Sequence, residues 1–213
     1  MIPQRFSTEV PRRMRQLLDA MYPMAEVHDL TTSFTLMVAM PLLMIPLERT
    51  AMRRGGPNAI SDVGTATRFV QAMRQLNRSL FWNEFLRNPD ELHRWRFTEI
   101  ARKIDRPSQW RDSLARHPME HGARNDIKEQ TVENVLLTLR HALAHGNVVY
   151  LDEDGSEEPG RRVTHMAFVS DGIRGSSGYR VVIVEEKAFV EFLKAWADWL
   201  ANYNIDSSLR RAA

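Results

Sequence analysis

The hydrophobic period of this chain changes at Gly146-Asn147 and returns to a helical spacing near Lys187, and that change limits the folds open to it. Before that point apolar residues recur at three- and four-residue spacings. After it, β-branched and aromatic runs alternate with acidic and Gly-rich turns. A spacing of about 3.6 lines one stripe of a helix, whereas a spacing of 2 lines one face of a strand. The chain therefore reads as mainly α, a helical bundle with a small antiparallel β meander inserted between the last two long helices. The insertion spans about 146–186, and 1–213 reads as a single domain.

Pro11 opens a predicted helix that carries Met14, Leu17, Leu18 and Met21 and ends near Pro23. Asp29 or Thr31 is expected to cap a second helix through Leu36, Met37, Met40, Leu43 and Met44, kinked at Pro41. Residues 53–58 read as a loop. A third helix follows Ser61 or Asp62 and carries Phe69, Val70, Met73, Leu76 and Leu80 toward Trp82 and Phe85, until Asn88-Pro89-Asp90 stops it. Two short helices are predicted at 91–103 and 108–116, then a polar turn-rich segment to Asn125. The next helix is predicted to start near Asp126, with Val132, Leu136, Leu139 and Leu143 as its buried stripe. Strands follow at 147–151, 163–169 and 179–184. A last helix from Lys187 buries Phe189, Phe192, Leu193, Trp196, Trp199 and Leu200, and the tail from Asp206 frays.

Composition excludes several kinds of chemistry. The 213 residues contain no Cys, so disulfides, thiolate catalysis and Cys-based zinc sites are ruled out. The most apolar stretch, 35–47, falls short of the roughly 20 residues that span a bilayer, so no membrane partner is expected. The N-terminal Met1-Ile2-Pro3-Gln4-Arg5 lacks the apolar core of a secretion signal, and a cytoplasmic location is expected. The formal charge of +2 does not force nonspecific nucleic-acid binding. Yet 25 of the 29 basic residues are Arg, the side chain suited to bidentate phosphate contacts, although genomic composition bias has the same result.

The segment Leu139-Arg140-His141-Ala142-Leu143-Ala144-His145-Gly146-Asn147 concentrates the candidate chemistry. It puts a permanent cation and two titratable rings in the last two turns of a helix. On a wheel of about 100° per residue, Asn134, Thr138, His141 and His145 lie opposite the apolar stripe, with Arg140 at the boundary. One group can hold phosphate charge and another can move a proton, the minimum for cleaving a phosphodiester without metal or other cofactor. The helix dipole at this end favours protonated imidazole. A purely structural role is also open, because basic side chains at a helix C-terminus can bond its free carbonyls. His141 and His145 have the i, i+4 spacing that can chelate zinc, but Ala142 stands where zincins carry Glu, and a third ligand would have to come from His165 or a carboxylate. His28, His93, His117 and His121 read as surface or packing residues. The Trp residues read as core, Arg12-Arg13-Met14-Arg15 as a solvated face, and the acidic stretch 152–158 as a solvated hairpin tip.

The run Arg140-His141-x-x-x-His145, within Leu-Arg-His-Ala-Leu-Ala-His-Gly-Asn-Val, resembles the Arg-polar-x-x-x-His signature of the HEPN superfamily. The resemblance implies two helical hairpins, with the helices near 126–146 and 187–203 forming the C-terminal one. It implies a metal-independent endoribonuclease, with a toxin or abortive-infection role in antiviral defence. Arg140 would hold the phosphate, with His145 and then His141 as proton-transfer groups. The expected partners are the RNA substrate, a second copy of the chain facing it across a shared cleft, and a cognate inhibitor protein. The alternative is a non-catalytic HEPN module that binds a nucleotide or a partner protein.

Overall fold

Helix α1 (Phe6–Val27) starts five residues before Pro11 and runs four residues past Pro23. An internal Pro removes one backbone bond and strains the preceding turn, so such a helix depends on packing for its stability. Its partner is α2 (Thr31–Ala51), antiparallel across a tight turn. Asp29 ends α1 rather than capping α2. It takes a left-handed φ of 55°, which Asp tolerates, and the Leu30 N–H bonds back to the Ala25 carbonyl at 2.8 Å. The helix continues through Pro41 and Pro46.

The computed structural model describes residues 6–51, 67–86, 88–102, 106–171 and 178–202. The predicted loop at 53–58, the start of the third helix and the tail from Asp206 lie outside them. The chain divides into two compact units, residues 1–76 with 190–213, and residues 77–189. In the first unit Leu18, Val38, Leu42, Leu43, Met73, Leu193 and Trp196 form the core. The Trp196 indole N–H donates to the Leu42 carbonyl at 3.0 Å, which satisfies the one polar atom that ring buries. The Arg12–Arg15 stretch is a solvated face as expected, with Arg13 paired to Glu9 and Arg15 to Asp19 and Asp198.

The predicted third helix divides. Helix α3 (Thr67–Arg78) stops at Ser79, and α4 (Phe81–Phe85) starts afresh after an extended Leu80. The break has a tertiary cause. Leu80 pairs with Thr131, the Val132 N–H donates to Ser79, and the Phe81 N–H donates to Gln130. Those bonds take the backbone groups that a continuous helix would have used.

The predicted helix at 91–103 is corrected to a 3₁₀ turn (Pro89–Arg94) followed by strand β1 (Trp95–Ile100). The predicted helix at 108–116 reduces to one short turn, Pro107–Gln109. The remaining strands are β2 (Val148–Leu151), β3 (His165–Asp171) and β4 (Tyr179–Glu185), close to the predicted runs. The meander forms one antiparallel sheet with β1, in the order β1-β4-β3-β2. The β structure is thus not confined to the insertion, because its fourth strand precedes the motif helix. Helix α6 (Glu186–Asn202) closes the described chain. The fold class remains mainly α with one small antiparallel sheet.

Both faces of the sheet are buried, by different elements. Register puts Trp95, Phe97 and Glu99 on one face with Val184, Val182 and Arg180, and with Met166, Phe168 and Ser170. Trp95 packs against Phe81, and both Phe168 and Trp95 pack against Phe189 on that face. The opposite face carries Ile100, Val181, Ile183, Ala167, Val169 and Leu151 under Trp110.

Candidate functional site

The motif helix α5 (Val132–His145) starts six residues later than the sequence pattern predicts, because residues Ile127–Glu129 form a separate 3₁₀ turn. Thr131 is its N-cap, with its hydroxyl accepting from the Asn134 N–H at 3.3 Å. Val132, Leu136, Leu139 and Leu143 are all buried, so the predicted stripe is correct. The helix packs on β3 and β4. No α5 residue belongs to the Trp110 cluster, so α5 covers the face bearing Phe97, Val182 and Phe168. It starts beside Leu80 and α4 near the Trp95 end. It ends where the Asn147 carbonyl accepts the Val169 N–H at 3.0 Å, next to Ser170 and Arg180.

Backbone hydrogen bonds stop the helix. Gly146 has φ 69° and ψ 19°, and its N–H donates to the Ala142 carbonyl, as does the Asn147 N–H at 2.8 Å. A Cβ at Gly146 would meet nothing within 4 Å, so only the left-handed backbone calls for glycine there. Neither the His141 ring nor the His145 ring makes a hydrogen bond with another described residue. The backbone thus does the capping that the structural alternative assigned to these rings.

All three predicted site residues lie in the last two turns of α5, with Arg140 and His141 half-buried and His145 exposed. The electrostatics differ from the dipole expectation for His141. Burial, then the positive charges of Arg140, Arg180 and His145, hold His141 below the ordinary imidazole range, and Asp171 only partly opposes them. His141 is therefore a neutral ring near pH 7. The polar strip also differs from its predicted form. Thr138 is buried and returns its hydroxyl to the Asn134 carbonyl at 2.8 Å, so it is helix structure rather than a cleft wall.

No sequence pattern marks Arg180. It is one Arg within an alternating strand, and only the β3–β4 register and the α5 packing place it beside the motif. Ser170, its neighbour on β3, is buried.

Among the described residues no group of three or more His, Cys, Asp or Glu side chains could hold a metal ion. His165, the ligand that the zinc alternative needed, opens β3, whereas Asp171 near the motif ends it. At roughly 3.3 Å per residue those ends are about 20 Å apart. His165 instead lies 2.8 Å from the Thr164 hydroxyl.

The remaining candidates take structural positions. His117 is buried, with one ring nitrogen 3.1 Å from the Pro107 carbonyl and the other accepting the Met119 N–H at 3.2 Å. His28, His93 and His121 are exposed. Trp95, Trp110 and Trp196 are core, and Trp82 lies under the Lys128 ammonium. The acidic tip is not simply solvated. Asp152 is buried, accepts the Asp154 and Ser156 N–H groups, and pairs with Arg161, which also reaches Asp154 and Glu158. No described helix is long and apolar enough to cross a membrane.

The family model described as HEPN pEK499 p136 matches residues 1–207. No curated protein and no solved structure matches the chain.

Proposed function

Because the chain belongs to the HEPN pEK499 p136 family, we propose that it is a metal-independent endoribonuclease acting as a toxin or abortive-infection effector. The observation that carries this reading is the pair of imidazoles beside Arg140 that bond to no other described residue, on a helix end already capped by Gly146 and Asn147. Groups kept out of structural hydrogen bonds are available to a substrate.

In the proposed reaction the ribose 2′-hydroxyl oxygen attacks the adjacent phosphorus. His141, neutral in this setting, takes the hydroxyl proton. The bond from phosphorus to the 5′-oxygen breaks, and His145 delivers a proton to that oxygen. The products are a 2′,3′-cyclic phosphate and a 5′-hydroxyl. Arg140 holds the phosphate and the charge that builds on it in the transition state. Arg140 and His145 are about 140° apart on a wheel of 100° per residue, so one helix aims them poorly at one atom. A homodimer with two motifs across a shared cleft supplies the missing direction, and a cognate inhibitor restrains it in the cell.

The test is cleavage of total RNA with and without EDTA. EDTA-resistant cleavage that falls about 100-fold or more in Arg140→Ala, and is lost in His145→Ala, supports the reading. Undiminished cleavage by a folded double variant refutes it. Nucleotide binding without any cleavage by the wild type favours the alternative, a HEPN module that binds but does not cut.

A further inference from the structure

We propose that Arg180 is a second phosphate-contacting group of this site, gripping, together with Arg140, the anionic group of a ribonucleotide against His141 and His145. The inference rests on the nuclease reading above and names a substrate contact from outside the motif. Its basis is the sheet. Arg180 is on the face of β4 that α5 covers, in register with Ser170 on β3 and Glu99 on β1. It is at the end of that face where α5 terminates, fixed by the 3.0 Å bond between Val169 and Asn147.

The side chain is built like a contact waiting for an anion. As a whole it is half-exposed, yet its Nε–H is shut off from water and has no hydrogen-bond partner among the described residues. It makes no ion pair with Glu99, which is exposed across the strand. Buried donors are nearly always satisfied, and an exception in a native fold needs a reason. The edge of a guanidinium formed by Nε and one Nη matches two oxygens of one phosphate. A phosphate reaches that edge once the side chain turns it outward, and then supplies the acceptor that the fold leaves out. Lys would keep the charge and lose the edge.

Arg180 also acts on the motif from a different element. The groups whose charges reach His141 are Arg140 and His145 from its own helix, Arg180 from β4 and Asp171 from β3. A bound phosphate would offset the cations and draw His141 toward its protonated form.

The experiment is an NMR titration of the His141 ring in the full chain, with uridine 3′-monophosphate as probe and inorganic phosphate for comparison. In the free protein, Arg180→Gln is expected to raise the His141 midpoint, and Arg180→Lys to leave it near wild type. Both are expected to weaken nucleotide binding tenfold or more. Unchanged affinity in both variants overturns the proposal, as does a wild type with no saturable binding. If Arg180→Gln does not fold, Arg180→Lys decides the matter on affinity alone. Unchanged affinity beside cleavage that still needs Arg140 and His145 removes only Arg180. Binding that depends on Arg180 in a chain that cuts no RNA removes the nuclease and keeps the contact.

Discussion

Gly146 and Gly155 share a left-handed backbone, with φ of 69° and 77°, but not a steric setting, and substituting each by Ala separates the two costs. At Gly146 a new Cβ meets nothing within 4 Å. The cost is then the left-handed penalty of about 1–2 kcal/mol, reduced by the roughly 0.4–1 kcal/mol that Ala removes from unfolded-chain entropy. The net is about 1 kcal/mol. At Gly155 the Cβ collides with the His117 ring and comes within 2.8 Å of Met119 Cγ. His117 cannot yield cheaply, because both ring nitrogens are bonded, to the Pro107 carbonyl and the Met119 N–H. Overpacking of this kind adds about 1–3 kcal/mol, for a total of roughly 2–4 kcal/mol. Urea unfolding followed by Trp fluorescence checks the pair, since a lower midpoint at unchanged slope reports lost stability. The thermal midpoint should fall by about 2–4 °C per kcal/mol in a chain of this size. Equal losses at both positions, or a larger loss at Gly146, would refute the reasoning that open space and collision decide these costs.

Burial holds His117, His141 and His165 all below the ordinary imidazole range. As pH falls through about 6.5, the unfolded chain takes protons on these rings before the folded one does. Urea midpoints should therefore decline below that pH, and His141→Gln should reduce the decline. Asp152 shows the opposite case. Burial would raise its carboxyl, but the Ser156 N–H, Arg161 and the Asp154 N–H outweigh it and hold the group below the usual carboxylate range. Its contribution is present above the unfolded pKa and lost as pH falls through the folded one. Asp152→Ala leaves donors unpaired and should cost about 1–3 kcal/mol at pH 7, with a smaller deficit in acid. Leu139→Ala removes a fully buried side chain of α5 and should cost about 2–5 kcal/mol in the same assay.

The motif helix was legible because its signals are short-range. Its stripe recurs every three or four residues, and its stop is one glycine followed by Asn147. The strands after Gly146 were legible for the same reason. Strand β1 was not. Its burial covers both faces, Trp95 and Phe97 on one and Thr98 and Ile100 on the other, so no clean alternation marks it. Its strand partner, β4, follows about eighty residues later. The break at Ser79-Leu80 was equally hidden, since its cause is pairing with residues near Thr131.

The order of residues alone determined where a cation, two titratable rings and a helix stop would stand together, because bonds and turns spanning four or five residues settle that. Tertiary structure moved His141 below the ordinary imidazole range and brought Arg180 to it. Coulomb forces and desolvation depend on distance through space, and sheet register places β4 beside α5 regardless of the chain length between them.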